Sequence, residues 1–261
     1  MNPFASLDRV RVVMSHTTHP GNIGACARAM KVMGLSRLYL VNPRHFPHDE
    51  AVAMSSGATD VLDAAVVCDS LEAALAGTVA QAALTARRRE MALPVRDVRT
   101  AATELATLLA RGSHEIALVF GTESSGLTNE EVAMCSVPVT ISTSDTYRSL
   151  NVAAAAQIMC HELRVAVGAA PAVAVAVAVA AAVEPDLPEP ASHEGLESLY
   201  ALIEQLMLDA GFLDRVNPGR AMPRLRRLFG RTQVEAEELH LLMGALKAIG
   251  GIPKKRPGSN E

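Results

Sequence analysis

Five short β-type runs, at residues 10–14, 38–41, 79–84, 116–120 and 137–141, punctuate the first 141 residues of the chain, with helical patterns between them. Runs such as VRVVM and IALVF are apolar at nearly every position rather than at alternate ones, so both faces of each strand need cover. Strands of this kind alternating with helices imply an α/β fold: a mostly parallel sheet covered by helices on both sides. Helices are expected at 23–33, 71–75, 98–110 and 150–167. Asn22 is placed to cap the first and Gly34 to stop it, and Thr128 with Glu131 spells a capping box for a short helix after the fourth strand.

Residues 165–183 carry no charged or polar side chain. The tract is mostly Ala and Val, which gain little from lipid, and Gly168 and Pro171 interrupt it, so it reads as a helix end running into a linker rather than as a membrane span. The segment EPDLPEPASHEG (184–195) follows, and its alternating prolines and acids cannot build a core. The expected organisation is therefore an α/β domain at 1–167, a linker at 168–194, a helical extension at 195–249 and a disordered tail at 250–261. About three helices are expected in the extension, one starting at Asn217-Pro218 and one at a Thr232/Glu235 capping box.

A net charge of −4 over 261 residues excludes a chain coated in basic residues, so contact with nucleic acid would have to come from local patches. Cys26, Cys68, Cys135 and Cys160 are scattered without close pairing, which fits reduced thiols of a cytoplasmic protein. The N-terminus, with Asp8, Arg9 and Arg11 around a short apolar run, does not read as a signal peptide. His16, His19, His114 and His161 are dispersed, so neither a metal site nor a Ser/His/Asp array can be assembled.

Three strings can carry chemistry. In HPGNIGACARAMK (19–31), Asn22 and Arg28 stand on the first turns of a helix that follows a strand; a guanidinium there can hold a phosphate, or can simply lie along an amphipathic surface. In FGTESSGL (120–127), Gly121 and Gly126 permit close approach of a ligand, and Glu123 can accept from loop amides; a plain strand-to-helix turn would look the same. In YRSLNVAAAAQ (147–157), Ser149 and Asn151 sit at a helix start, where they can cap it or contact a substrate.

Taken together and in order, GNIGACARAMKVMGL, LYLVNPR, SSGATDVL, LVFGTESSGLTNEE and YRSLNVAAAAQ resemble the motifs of the SPOUT superfamily of RNA methyltransferases, and most closely the TrmJ-type tRNA 2′-O-methyltransferases. The resemblance is dense over residues 10–167 and reaches the C-terminal helices through MPRLRRLFGR. It implies a trefoil knot near the C-terminal end of the α/β domain, S-adenosylmethionine bound in the knotted loops, and methyl transfer to a ribose 2′-OH of cytidine or uridine in tRNA, at position 32 of the anticodon loop.

By that resemblance the cofactor-binding positions are Leu84, Thr85 and Ala86, Gly121, Ile141, and Arg148, Ser149 and Leu150. Arg28 occupies the catalytic arginine position, with Asn22, Ser149 and Asn151 positioning ribose and loops and Glu123 bracing them. An arginine is a poor base, so Arg28 is expected to hold the phosphate of the reacting nucleotide. Many TrmJ-type proteins have Arg after the motif glycine; here it is Thr122. The family also implies a homodimer, with Ala153 to Ala156 and the first-motif helix at the interface; the residues themselves point to neither a membrane nor a metal.

The expected RNA contacts are Arg87 and Arg88 in one cluster and Arg224, Arg226 and Arg227 in another, which lies in a stretch with no acidic residue between Asp214 and Glu235. Other readings compete: methylation of another tRNA or rRNA site, a non-catalytic RNA-binding SPOUT protein, or an enzyme acting on a small nucleotide.

Overall fold

The computed structural model describes residues 2, 4–86, 93–181, 188–216, 219–232 and 234–251, and of 170–181 only the helical backbone. Two compact units make up the chain, Met1–Asp186 and Leu187–Glu261.

The first unit begins with a 3-10 turn, Ala5–Arg9, and continues β1 (Val10–Ser15), α1 (Pro20–Met33), β2 (Arg37–Val41), α2 (Asp49–Ser55), α3 (Thr59–Asp63), β3 (Val66–Cys68), α4 (Leu71–Leu75) and β4 (Thr78–Leu84). After it come β5 (Arg96–Asp97), α5 (Val98–Arg111), β6 (Glu115–Phe120), α6 (Asn129–Ala133), β7 (Val137–Thr140) and α7 (Val152–Ala181). The seven strands form one sheet in the order β3-β2-β1-β6-β4-β7-β5, and every pairing is parallel.

Its two apolar layers follow from the two-residue period of a strand. Val12, Met14, Leu38, Leu40, Ala82, Leu118 and Phe120 point into the larger layer, packed with α1, α5 and α7. Val13, Val41, Ala83, Ala117 and Val119 point the other way, toward Leu71 and Leu75 of α4 and Val132 of α6. In register, Val12 stands beside both Leu38 and Leu118, and Ala82 beside both Leu118 and Val137, so the centre of the sheet is dry on both faces. All four cysteines are buried and free; burial raises the Cys26 thiol to about 12.

Several expected boundaries move. Helix α1 begins at Pro20 with His19 as its cap residue, so Asn22 lies within the first turn rather than capping it; the proline at the helix start was the overlooked signal. Gly34 does end α1, at φ 79°. Helices α2 and α3 and strands β3 and β5 come in addition to the expected elements; all four are seven residues or shorter, too short for a periodic pattern to show. The capping box of α6 forms as expected, between Thr128 and Glu131. Helix α7 passes through Gly168 and Pro171 to Ala181, so the first part of the segment assigned to a linker is helical.

The second unit contains α8 (His193–Asp209), α9 (Ala221–Phe229) and α10 (Ala236–Ile249), the three helices expected. Leu199, Val234 and Leu239 form its small core. Its capping box joins Glu235 and Glu238 rather than Thr232 and Glu235: the Thr232 hydroxyl donates instead to the Phe229 carbonyl, 3.0 Å away. The expected helix start at Asn217-Pro218, the Arg87–Arg88 cluster and most of the expected tail fall outside the described residues.

Candidate functional site

Strands β6, β4 and β7 are neighbours and run the same way, so the loops leaving their C-terminal ends meet although they are far apart in the chain. They enclose a cleft of about 720 Å³. Leu84, Thr85 and Ala86 line it from the β4 end, Phe120 to Gly126 from the β6 end, and Ile141, Thr143, Arg148, Ser149 and Leu150 from the segment after β7, with Val152 and Ala155 of α7 behind them. Every residue to which the family resemblance assigns cofactor binding lines this one cleft.

Gly121 is required by the packing of the loop. A Cβ built there would lie 2.2 Å from the backbone nitrogen of Leu127 and 2.2 Å from the carbonyl carbon of Gly126, so no side chain fits where the loop folds back on its strand. Gly126, at φ 70°, takes the left-handed conformation that closes the turn. Thr122 fastens the loop further: its hydroxyl lies 2.8 Å from that of Ser125, and its carbonyl accepts from the Gly126 N–H at 3.0 Å.

Glu123 ties this loop to the start of α1. One carboxylate oxygen accepts from the Thr18 N–H at 3.1 Å and the Thr18 hydroxyl at 2.9 Å; the other accepts from the His19 N–H at 3.1 Å and from Asn22 Nδ2 at 2.9 Å. Burial by itself would raise the pKa of Glu123, but donation by Asn22 and by the backbone N–H groups of Glu123, Thr18 and His19 outweighs it and holds the carboxyl down at about 2. Asn22 Oδ1 accepts in turn from Asn151 Nδ2 at 2.9 Å. Asn151 Oδ1 caps α7 by accepting from the N–H groups of Ala153 and Ala154. A single polar chain, Asn151–Asn22–Glu123, thus joins the loop after β6 to the starts of α1 and α7. Thr18 and His19 carry no sequence signal for this role: His19 gives only its backbone N–H, and Thr18 a backbone N–H and one hydroxyl, which form no motif.

Arg28 stands apart from the cleft lining. It is exposed on α1, and its Nη1 donates to Ser56 Oγ at the end of α2, 3.3 Å away. Asn22 and Arg28 are six residues apart on a helix and so do not share a face, which is why one joins the loop hub and the other does not. Arg148 pairs with Asp145 at 3.2 Å, and Ser149 is exposed at the cleft. Ala153 and Ala156 are buried against other helices of the same chain, so of the expected interface alanines only Ala154 is exposed and Ala155 half-exposed. Arg226, expected among the RNA contacts, is held by Glu197, with N–O distances of 2.5 and 2.6 Å. No group of three potential metal ligands occurs, and no helix is long and apolar enough to cross a membrane, among the described residues.

A parallel sheet whose strand-end loops build such a cleft defines the class, and the chain belongs to the SpoU rRNA methylase family, whose sequence model matches residues 9–161. Within that class, residues 194–259 match the C-terminal domain of the tRNA methyltransferase TrmJ. The chain is 46% identical over 255 residues to the tRNA (cytidine/uridine/adenosine-2′-O-)-methyltransferase TrmJ of Pseudomonas aeruginosa (strain UCBPP-PA14), covering 96% of this chain and 98% of that protein. It is 41% identical to the tRNA (cytidine/uridine-2′-O-)-methyltransferase TrmJ of Sodalis glossinidius, over 93% of this chain and 92% of the other. Among solved structures, TrmJ from Z. mobilis ZM4 superposes with a TM-score of 0.76 at 25% identity, over 92% of this chain and 98% of that one. A probable methyltransferase from Bordetella pertussis Tohama I gives 0.59 at 43% identity, over 62% of this chain and 98% of the other.

Proposed function

We propose that the chain is an S-adenosylmethionine-dependent tRNA 2′-O-methyltransferase acting in the cytoplasm on a cytidine or uridine ribose, at position 32 of the anticodon loop. The observation that carries the reading is the meeting of the loops after β4, β6 and β7 around one cleft in a chain related along its whole length to TrmJ proteins. The names of those relatives differ in whether adenosine is also a substrate, so base preference is the part most open to variation within the group.

The lining fits the cofactor. Leu84, Phe120, Ile141, Leu150 and Val152 offer apolar surface to an uncharged adenine, and the exposed backbone of the loops offers polar groups to ribose and the amino acid end. The volume is within the range of about 300–1,000 Å³ usual for small-molecule sites. When bound, S-adenosylmethionine supplies a methyl group on a sulfonium that is already a good leaving group, so the protein has mainly to align the ribose hydroxyl and assist removal of its proton.

Each residue of the hub then has a task. Ionised Glu123 fixes the motif loop against α1; Asn22 and Asn151 hold the start of α7 against both. Ser149, exposed at the cleft, positions the ribose. Arg28 holds the phosphate of the reacting nucleotide, exchanging its contact with Ser56 for the substrate, and that phosphate or a water takes the proton. The basic face of α9 and the cluster at Arg87 and Arg88 meet the rest of the tRNA.

The proposal includes a trefoil knot, which the strand order supports: after β5 at the sheet edge the chain returns to insert β6 between β1 and β4, and then β7 between β4 and β5. It also includes a homodimer, for which the exposed Arg28 and Val32 of α1 and Ala154 of α7 are open surface. The test is transfer of labelled methyl groups from S-adenosylmethionine to tRNA, with the modified ribose mapped in the product. Failure of tRNA to accept label while rRNA does would move the reading to another RNA. Tight tRNA binding that neither depends on the cofactor nor leads to turnover would make the chain a binding protein.

A further inference from the structure

The arginines of α9 do not face alike. At about 100° per residue, Arg224, Arg227 and Leu228 fall on one side of the helix, with Met222, Leu225, Arg226 and Phe229 on the other. Exposure follows this division: the first group is exposed and the second half-buried. Arg226 points back to α8, where Nη1 and Nη2 donate to the two carboxylate oxygens of Glu197 at 2.5 and 2.6 Å. Its guanidinium carbon also lies 4.4 Å from the centroid of the Tyr200 ring, whose other neighbour on α9 is Phe229, with centroids 6.1 Å apart. No residue of α9 is fully buried, so apolar burial does little to fix the rotation of this short helix. A two-point ion pair against an aromatic face is directional where apolar contact is not.

We propose that Arg226 is a positioning residue, clamped by Glu197 and Tyr200, that sets the rotation of α9 so that Arg224 and Arg227 stand outward as a pair for the phosphates of tRNA. Arg224 and Arg227 form no ion pair among the described residues, and at a spacing of three residues they are neighbours on the helix surface. The inference rests on the reading of the chain as a tRNA enzyme that uses α9 to hold its substrate.

Glu197→Gln separates this role from simple charge. Removal of a negative charge beside a basic helix should tighten binding of a polyanion if charge alone matters. If the clamp matters, it should weaken binding instead, by about three- to tenfold, because the guanidinium loses its two-point partner. The full-length protein is titrated with unfractionated tRNA over a range of salt, and the KM for tRNA and kcat are measured with labelled S-adenosylmethionine. Glu197→Gln and Arg226→Lys, which keeps its charge but lacks the fork, should both weaken tRNA binding and raise KM by more than they lower kcat. Both losses should shrink toward nothing in an Arg224→Ala/Arg227→Ala background, since the clamp acts through those two residues. Helical circular dichroism is followed in each variant, and a loss of helix that accounts for the weakening would overturn the proposal in favour of a merely structural contact. Unchanged or tighter binding by Glu197→Gln, together with weaker binding by Arg224→Ala/Arg227→Ala, sinks the clamp but leaves the tRNA reading intact. No effect of Arg224→Ala/Arg227→Ala itself removes the RNA-facing role of α9, and the clamp with it.

Discussion

The carboxylate of Glu123 is the joint at which the cleft can be loosened with least change of shape. Glu123→Gln keeps the size of the side chain and one acceptor oxygen, but turns an NH2 group toward donors at Thr18, His19 and Asn22. A carboxyl held at about 2 instead of 4.5 corresponds to at most about 3 kcal/mol in favour of the ionised folded form. The side chain is only part-buried, and solvent screening brings the expected contribution to about 1–2 kcal/mol. Because the folded pKa is depressed, this stability is fully present above about 4.5 and is lost as pH falls toward 2. Urea unfolding of wild type and Glu123→Gln should therefore differ by about 1–2 kcal/mol at neutral pH, and the gap should close progressively below about pH 4.5. The chain has no tryptophan, so the transition is best followed by far-ultraviolet circular dichroism. Equal stability at neutral pH, or a gap of the same size at pH 7 and at pH 3, would refute the account of Glu123 as a charged brace.

Other perturbations have distinct signatures. Arg28→Ala should lower methyl transfer by about 10²–10⁴-fold while calorimetry still detects S-adenosylmethionine binding, since Arg28 lies outside the cleft lining; near-normal turnover would remove it from the reaction. Gly121→Ala forces a methyl group to 2.2 Å from the backbone of Leu127, so cofactor binding should be lost and thermal stability should fall by about 1–3 kcal/mol. Asn151→Ala deletes the cap of α7 and its link to Asn22, at about 1–2 kcal/mol, and the KM for S-adenosylmethionine should rise with it. An unchanged melting temperature in Asn151→Ala would show that the two N–H groups find water instead.

The sheet and its covering helices are legible because β6 is apolar on both faces and β1 and β4 largely so, as strands covered on both sides need. The two-residue β5 and the short α2 and α3 offered too few residues for any period to register. Helix ends are ambiguous where two signals compete: Pro20 against Asn22 at the start of α1, and Pro171 against the helix that continues through the Ala/Val tract of α7. In the site, the motif loops gave away the cleft, since glycine, threonine and serine after a strand leave a recognisable string. What the strings could not give was direction. Asn22 and Arg28 share one motif yet face different neighbours, and Arg226 sits amid other arginines yet turns inward to Glu197.

The polar chain Asn151–Asn22–Glu123 has a consequence for when the protein becomes competent. Its members come from the beginning, the middle and the end of the α/β unit, and each supplies a group that another needs. A nascent polypeptide that has emerged only as far as α6 has its Gly121 loop but no α7 to seat it against. Ability to take up the methyl donor should thus switch on late in synthesis, with the arrival of Asn151, so that unfinished copies do not sequester cofactor.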